Sequence, residues 1–166
     1  MVFCCIKNCF DGIGLSQNNV PRREINPIVL DTAHMGHEVV IVKNGQRICG
    51  CGGALASAPL VQSKAYFEVK IQQSGIWGVG LATRNADLNH SPGGHDTESW
   101  GVSYDHIELN FYINGKAVDS PITGIRGNVY PALYVEDGAI LDIVLDNFHH
   151  SPPGGFDKIM LEQSLL

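Results

Sequence analysis

The stretch GIWGVGLAT, residues 75–83, decides the fold. Trp77, Val79 and Leu81 alternate with Gly78 and Gly80, a period of two that reads as a strand with one apolar face. The opposite face carries glycine. Glycine weakens an isolated strand but lets another backbone or an aromatic ring approach closely. Such a strand makes sense only inside a sheet with near neighbours.

Working outward, similar strands appear on both sides. AYFEVKI, 65–71, places Phe67, Val69 and Ile71 on one face and Tyr66, Glu68 and Lys70 on the other. EVVIVKNGQRIC, 38–49, is a hairpin with its turn at Asn44-Gly45. In DHIELNFYINGKAV, 105–118, Ile107, Leu109, Phe111 and Ile113 alternate with mixed residues and run into Asn114-Gly115, a second hairpin turn. Asn and Gly adopt positive φ cheaply, which is what a two-residue turn needs. NVYPALYV, 128–135, contains Pro131, which lacks an N–H and therefore belongs at an edge or bulge. AILDIVL, 139–145, is the last strong strand, with Asp142 and Asp146 expected on its exposed side. NFHHSPPGGF, 147–156, turns the chain away, with His149-His150 as a solvated turn, and DKIMLEQSLL, 157–166, makes a short helical or extended tail.

Strands separated by turn signals, with no helix-period segments between them, predict an all-β fold, an antiparallel β-sandwich. Residues 1–26 are polar, without sustained period, and read as a flexible tail. Residues 27–161 form the domain, and 162–166 a C-terminal tail. The composition agrees: 44% hydrophobic and only 17% charged residues, with 19 glycines, favour a β-rich domain with tight turns over a helical bundle.

Charge excludes one class of function. The net charge is −6 and no Lys/Arg run is longer than Arg22-Arg23, so nucleic-acid binding is disfavoured. No apolar run approaches the roughly 20 residues of a membrane helix. The N-terminus lacks the apolar region of a secretory signal. The expected location is cytoplasmic, where the five cysteines stay mostly reduced and the sequon Asn89-His90-Ser91 is simply a polar loop.

Taken in order, YFEVKI, GIWGVGLAT, PGGHDTESWG, YDHIELNFYINGK, VYPALYV and PPGGF resemble the SPRY domain family over roughly residues 28–160. The resemblance implies a bent antiparallel β-sandwich, a concanavalin-like jelly roll, that displays binding loops at one end. It implies a non-catalytic protein-interaction module rather than an enzyme. It also implies a shortening. In SPRY domains the ESW segment is followed by further strands, whereas here Trp100 runs directly into Gly101. About thirty residues, enough for two or three strands, are missing at that join. Exon skipping would produce such a form. A missing strand leaves unpaired N–H and C=O groups, and the alternation of Trp100, Val102 and Tyr104 has to be re-established across the join.

By position, the family's display loops fall at 33–38, 84–98 and 135–138. Within them Met35, Leu88, His90 and Glu136 are the candidate contacts for an unidentified protein or peptide. The alternatives are a carbohydrate-binding sandwich, which lacks the usual Asp/Asn cluster for calcium, and a shortened isoform with no stable binding function. Cys4, Cys5 and Cys9 are candidates for S-acylation, which would attach the tail weakly to membranes. His34, His37, Cys49 and Cys51 are of zinc-ligand type but poorly spaced, and a cysteine in a β-sandwich is usually a small core residue. GCGGAL lacks the third glycine of a dinucleotide loop, and no Gly-x-Ser-x-Gly elbow exists. No metal, cofactor or catalytic residue is expected. Trp77 and Trp100 are read as core anchors.

Overall fold

The computed structural model describes residues 27–90, 96–103, 112–113, 116–117 and 125–161. Strands are numbered in chain order. The longest, β3 (Arg47–Ala56), organises the sheet. Its first residues lie between β2 (Glu38–Val42) and β11 (Ile140–Val144). Its last residues lie between β1 (Leu30–Met35) and β10 (Tyr130–Glu136). The change of partners falls at Gly50 and Gly52, with φ of 102° and 122°. Side-chain-bearing residues avoid such angles, so the bend in β3 depends on glycine.

Beyond β3 the sheet extends both ways. β11 pairs with β5 (Glu68–Gln73), and β10 pairs with β6 (Ile76–Ala82), which pairs with β7 (Ser99–Ser103). The order β5-β11-β3-β10-β6-β7 is antiparallel throughout and curls about β3. The curl encloses the main core. Val79, Leu133 and Val135 from one half meet Val39, Ile48, Leu141 and Ile143 from the other. β12 (Asp157–Lys158) closes the chain against β4 (Ala65–Tyr66) as a short parallel pair. A second, smaller cluster, with Leu55, Ala82, Ala86, Tyr130, Ala132 and Tyr134, lies on the outer face of β10.

The antiparallel sandwich predicted from the sequence is therefore what forms. The glycines of GIWGVGLAT serve close approach as expected. A Cβ at Gly80 would collide with the Trp100 carbonyl and the Gly101 Cα, so β6 and β7 meet through bare backbone. The Trp100–Gly101 join lies inside β7, whose pairing runs unbroken from Ala82↔Ser99 to Gly78↔Ser103. The alternation thus crosses the join without a break over these residues. The hairpin at Asn114-Gly115 is seen in its flanks: β8 (Tyr112–Ile113) pairs with β9 (Lys116–Ala117). The tail 1–26 with Cys4, Cys5 and Cys9, the apolar residues Ile107, Leu109 and Phe111, and residues 162–166 lie outside the described residues.

The turn at Asn44-Gly45 forms where expected, with both residues at positive φ (55° and 82°) and the Gln46 N–H donating to the Lys43 carbonyl (3.2 Å). Other local expectations are corrected. Pro131 is not at a sheet edge. It is buried in the central strand β10, at the strand's start, and the pairing with β3 begins one residue later at Ala132. Ile71 does not join Phe67 and Val69 in the core. The register shifts between Ile140 and Leu141, and Ile71 is left 45% exposed.

Asp142 is the largest correction. It is 4% exposed, on the face of β11 opposite Leu141 and Ile143. Its carboxylate accepts from Arg47 Nε (2.5 Å) and an Arg47 NH2 group (2.9 Å), from Lys43 Nζ (2.8 Å) and from Gln72 Nε2 (3.1 Å). The period of two placed Asp142 outward correctly, but long neighbouring side chains fold over it. The Arg47 hydrogen bonds, then Lys43, hold its carboxyl at about 2 against the opposing effect of burial.

Asp142→Ala should cost about 2–3 kcal/mol at neutral pH, since it leaves Arg47 and Lys43 without their shared acceptor. An unfolded Asp titrates at about 4. The folded value is lowered, so the contribution is complete above about pH 5 and is lost as pH falls from about 4 towards 2. The gap in urea midpoint between wild type and variant should close across that window. A gap that does not change with pH would assign the cost to packing alone.

Candidate functional site

Two of the three expected display loops are brought together by backbone chemistry. β1 and β2 are separated by a short break at Gly36-His37. Into that break comes the segment 87–89 of the long loop after β6. The Gly53 N–H donates to the Leu88 carbonyl (2.7 Å), and the Gly36 N–H donates to the Gly53 carbonyl (2.8 Å). The His37 N–H donates to Asn89 Oδ1 (3.0 Å). A Cβ at Gly36 would collide with the Leu88 carbonyl, and one at Gly52 would lie 2.6 Å from it. The glycines thus form a notch that admits the loop. Tyr134 completes the latch, its ring crossing Gly53 and its hydroxyl donating to the Asp87 carbonyl (3.3 Å). The third loop packs elsewhere. Asp137 and Gly138, both at positive φ, turn the chain from β10 to β11 beside Gly75, and Gln73 Nε2 donates to the Gly138 carbonyl (2.8 Å).

The candidate contact residues divide accordingly. His90 is exposed, its Nδ1 2.6 Å from Asp87 Oδ2. Leu88 is half-buried against the outer cluster, and Met35 ends β1 packed on the main core. Glu136 is half-buried at the end of β10. Three of the four are thus less open than the sequence suggested, because their loops are shorter and more firmly tied. Cys49 and Cys51 are free thiols, half-buried in β3. Among the described residues no group of three or more His, Cys, Asp or Glu could hold a metal ion.

A concavity lies at the base of the long loop, not at its tip. The base is closed by Thr83 and Glu98: the Thr83 N–H donates to the Glu98 carbonyl (2.8 Å), and the Thr83 hydroxyl to Glu98 Oε2 (2.5 Å). Between this base and the segment before β10 opens a cleft of about 720 Å³, a volume in the usual range of ligand sites. Tyr130 and Trp100 supply aromatic surface, Arg84 and Arg126 supply charge, and Asn85 and Asn128 supply amides. The Arg84 guanidinium lies 4.9 Å over the Tyr130 ring, a cation–π contact that fixes its plane. Trp100 is half-buried and lines this cleft rather than anchoring the main core, whereas Trp77 packs on that core as expected.

Sequence reasoning did not find the cleft, which is assembled from residues more than forty positions apart. The local signal was modest: the polar run Thr83-Arg84-Asn85 ends an apolar strand, and Arg126-Gly127-Asn128 precedes one.

Comparison with known proteins supports the reading of the chain. A family model described as SPRY domain matches residues 64–107. SPRY domain-containing protein 7 of Bos taurus is 47% identical over 195 aligned positions, covering 99% of this chain and 98% of that protein. The proteins of that name from Homo sapiens and Gallus gallus are each 46% identical over the same length. The 195 aligned positions exceed the 166 residues of this chain by 29, so these relatives carry residues that this chain lacks.

Gly36→Ala should drive a methyl group into the Leu88 carbonyl and release the latch. Hydrogen exchange at the Gly53 amide should then accelerate about tenfold or more, as for the loss of one backbone hydrogen bond. Unchanged protection at Gly53 would show that the latch does not depend on the notch.

Proposed function

The chain belongs to the SPRY domain family, a family of protein-interaction domains, and from that membership we propose that it is a non-catalytic module that binds a protein or peptide in the cleft between Thr83–Asn85, Thr97–Trp100 and Arg126–Tyr130. The observation that carries this reading is the cleft itself. Its walls come from two loop segments set on β6, β7 and β10, so a rigid sheet supplies geometry and loops supply chemistry. Its mixture of aromatic surface, amides and arginines is that of a polypeptide-binding patch.

The same reading places the protein in the cytosol, in keeping with the two free thiols of β3. No helix among the described residues is long and apolar enough to cross a membrane. Cys4, Cys5 and Cys9 are proposed acylation sites of the tail; changing all three to Ser should abolish any membrane association.

A peptide-display selection against the full chain tests the reading. Asn128 is exposed, so Asn128→Trp should fill the cleft and abolish binding of the selected peptides while changing stability by no more than about 0.5 kcal/mol. His90→Ala should weaken binding only slightly. The reverse pattern, with loss at His90 and none at Asn128, would move the site to the loop tip.

A further inference from the structure

The cations of this chain are distributed unevenly between paired and unpaired states. Among the described residues, Lys43 and Arg47 are spent on Asp142, and Lys158 is held by Asp146 at 2.8 Å. Arg84, Arg126, Lys64 and Lys70 form no ion pair among the described residues, and of these the two arginines line the cleft. The acidic groups near them make other hydrogen bonds. Glu98 accepts the Thr83 hydroxyl, and Asp31, which senses the charge of Arg84, accepts the Ala33 N–H (2.9 Å) and lies 2.8 Å from His34 Nδ1. A chain of net charge −6 therefore places two guanidinium groups in one concavity against the single lining carboxylate of Glu98.

The geometry of Arg84 adds direction. The Arg84 guanidinium lies over the Tyr130 ring, 4.9 Å from its centroid, which restrains its position. Its N–H donors match a carboxylate, which accepts two parallel N–H bonds from an arginine. Arg126 is exposed and lines the same cleft from the segment before β10.

We infer that the cleft selects acidic peptides, holding an Asp or Glu carboxylate between Arg126 and the stacked Arg84, with Tyr130 and Trp100 packing the residues beside it. This rests on the peptide-binding reading above and adds the chemistry of the ligand. The attraction between these guanidinium groups and a carboxylate is screened by salt, so affinity should fall as salt rises.

The test uses peptides selected by random display on the full chain. The selected set should be enriched in Asp or Glu. Replacing the acidic residue of a selected peptide by its amide should weaken binding about tenfold or more, as for loss of a charge-assisted pair. Arg126→Glu should abolish binding of the acidic peptide and restore it when that residue becomes Lys. Arg126 makes no ion pair among the described residues, so this variant should unfold at the wild-type temperature; Arg84→Gln, which gives up the Tyr130 contact, is the second arm. Peptides that Asn128→Trp displaces but that carry no acidic residue, or that tolerate the amide, would overturn the inference and leave peptide binding standing. A clear preference for phosphoserine over the carboxylate would also overturn it. If no selected peptide is displaced by Asn128→Trp, both readings fail together.

Discussion

The bend in β3 at Gly50 and Gly52 is the constraint on which the rest of this molecule depends. One strand pairs with β2 and β11 at its start and with β1 and β10 at its end, and a regular strand could not turn between those partners. Two glycines at positive φ make the turn. The curl that follows brings Leu133 and Val135 of β10 against Leu141 and Ile143 of β11, so the main core is a consequence of the bend. The position of the long loop is a second consequence, because Gly52 also forms one wall of the notch that receives Leu88. Any residue with a side chain there would strain the backbone and obstruct the loop at once.

Close approach through glycine recurs where β6 meets β7. Gly80 against Gly101 lets the two backbones pass with no side chain between them. This bears on the length difference from the relatives. The ladder between β6 and β7 keeps one register from Ser99 to Ser103, across the position where the sequence reading puts the missing stretch. β7 in turn carries Trp100 to the cleft and fixes one end of the loop whose other end leaves β6 at Ala82. The site is therefore built on this strand pair.

Much of the fold was legible because burial on one face imposes a period of two. GIWGVGLAT, NVYPALYV and AILDIVL all form strands where that period is strongest, and Trp77, Val79, Leu133 and Ile143 point to the core as their phase requires. What the period cannot convey is what lies over the outer face. Asp142 has the phase of an exposed residue, yet Arg47, Lys43 and Gln72 cover it. Glu68 has the same phase and is similarly enclosed. Burial would raise its carboxyl, but the N–H groups of His149 and His150 and the Tyr66 hydroxyl outweigh it and bring it to about 2. Those contacts tie the segment after β11 back to β5, across eighty residues of sequence. The cleft was missed for a related reason. Arg84, Trp100 and Arg126 have no common period, and only the order of strands β10-β6-β7 brings them together.

The account makes a scaffold of the bent sheet and a binding site of the cleft at one end of β6, β7 and β10. Titrating the isotope-labelled full chain with a display-selected acidic peptide, while following its backbone amide resonances, tests this most directly. Shifts should cluster at Thr83, Arg84, Asn85, Thr97, Glu98, Trp100 and the segment from Arg126 to Tyr130, with the β2 and β11 amides unmoved. Shifts centred on the exposed valines of β2, or on the turn at Asp137-Gly138, would contradict it.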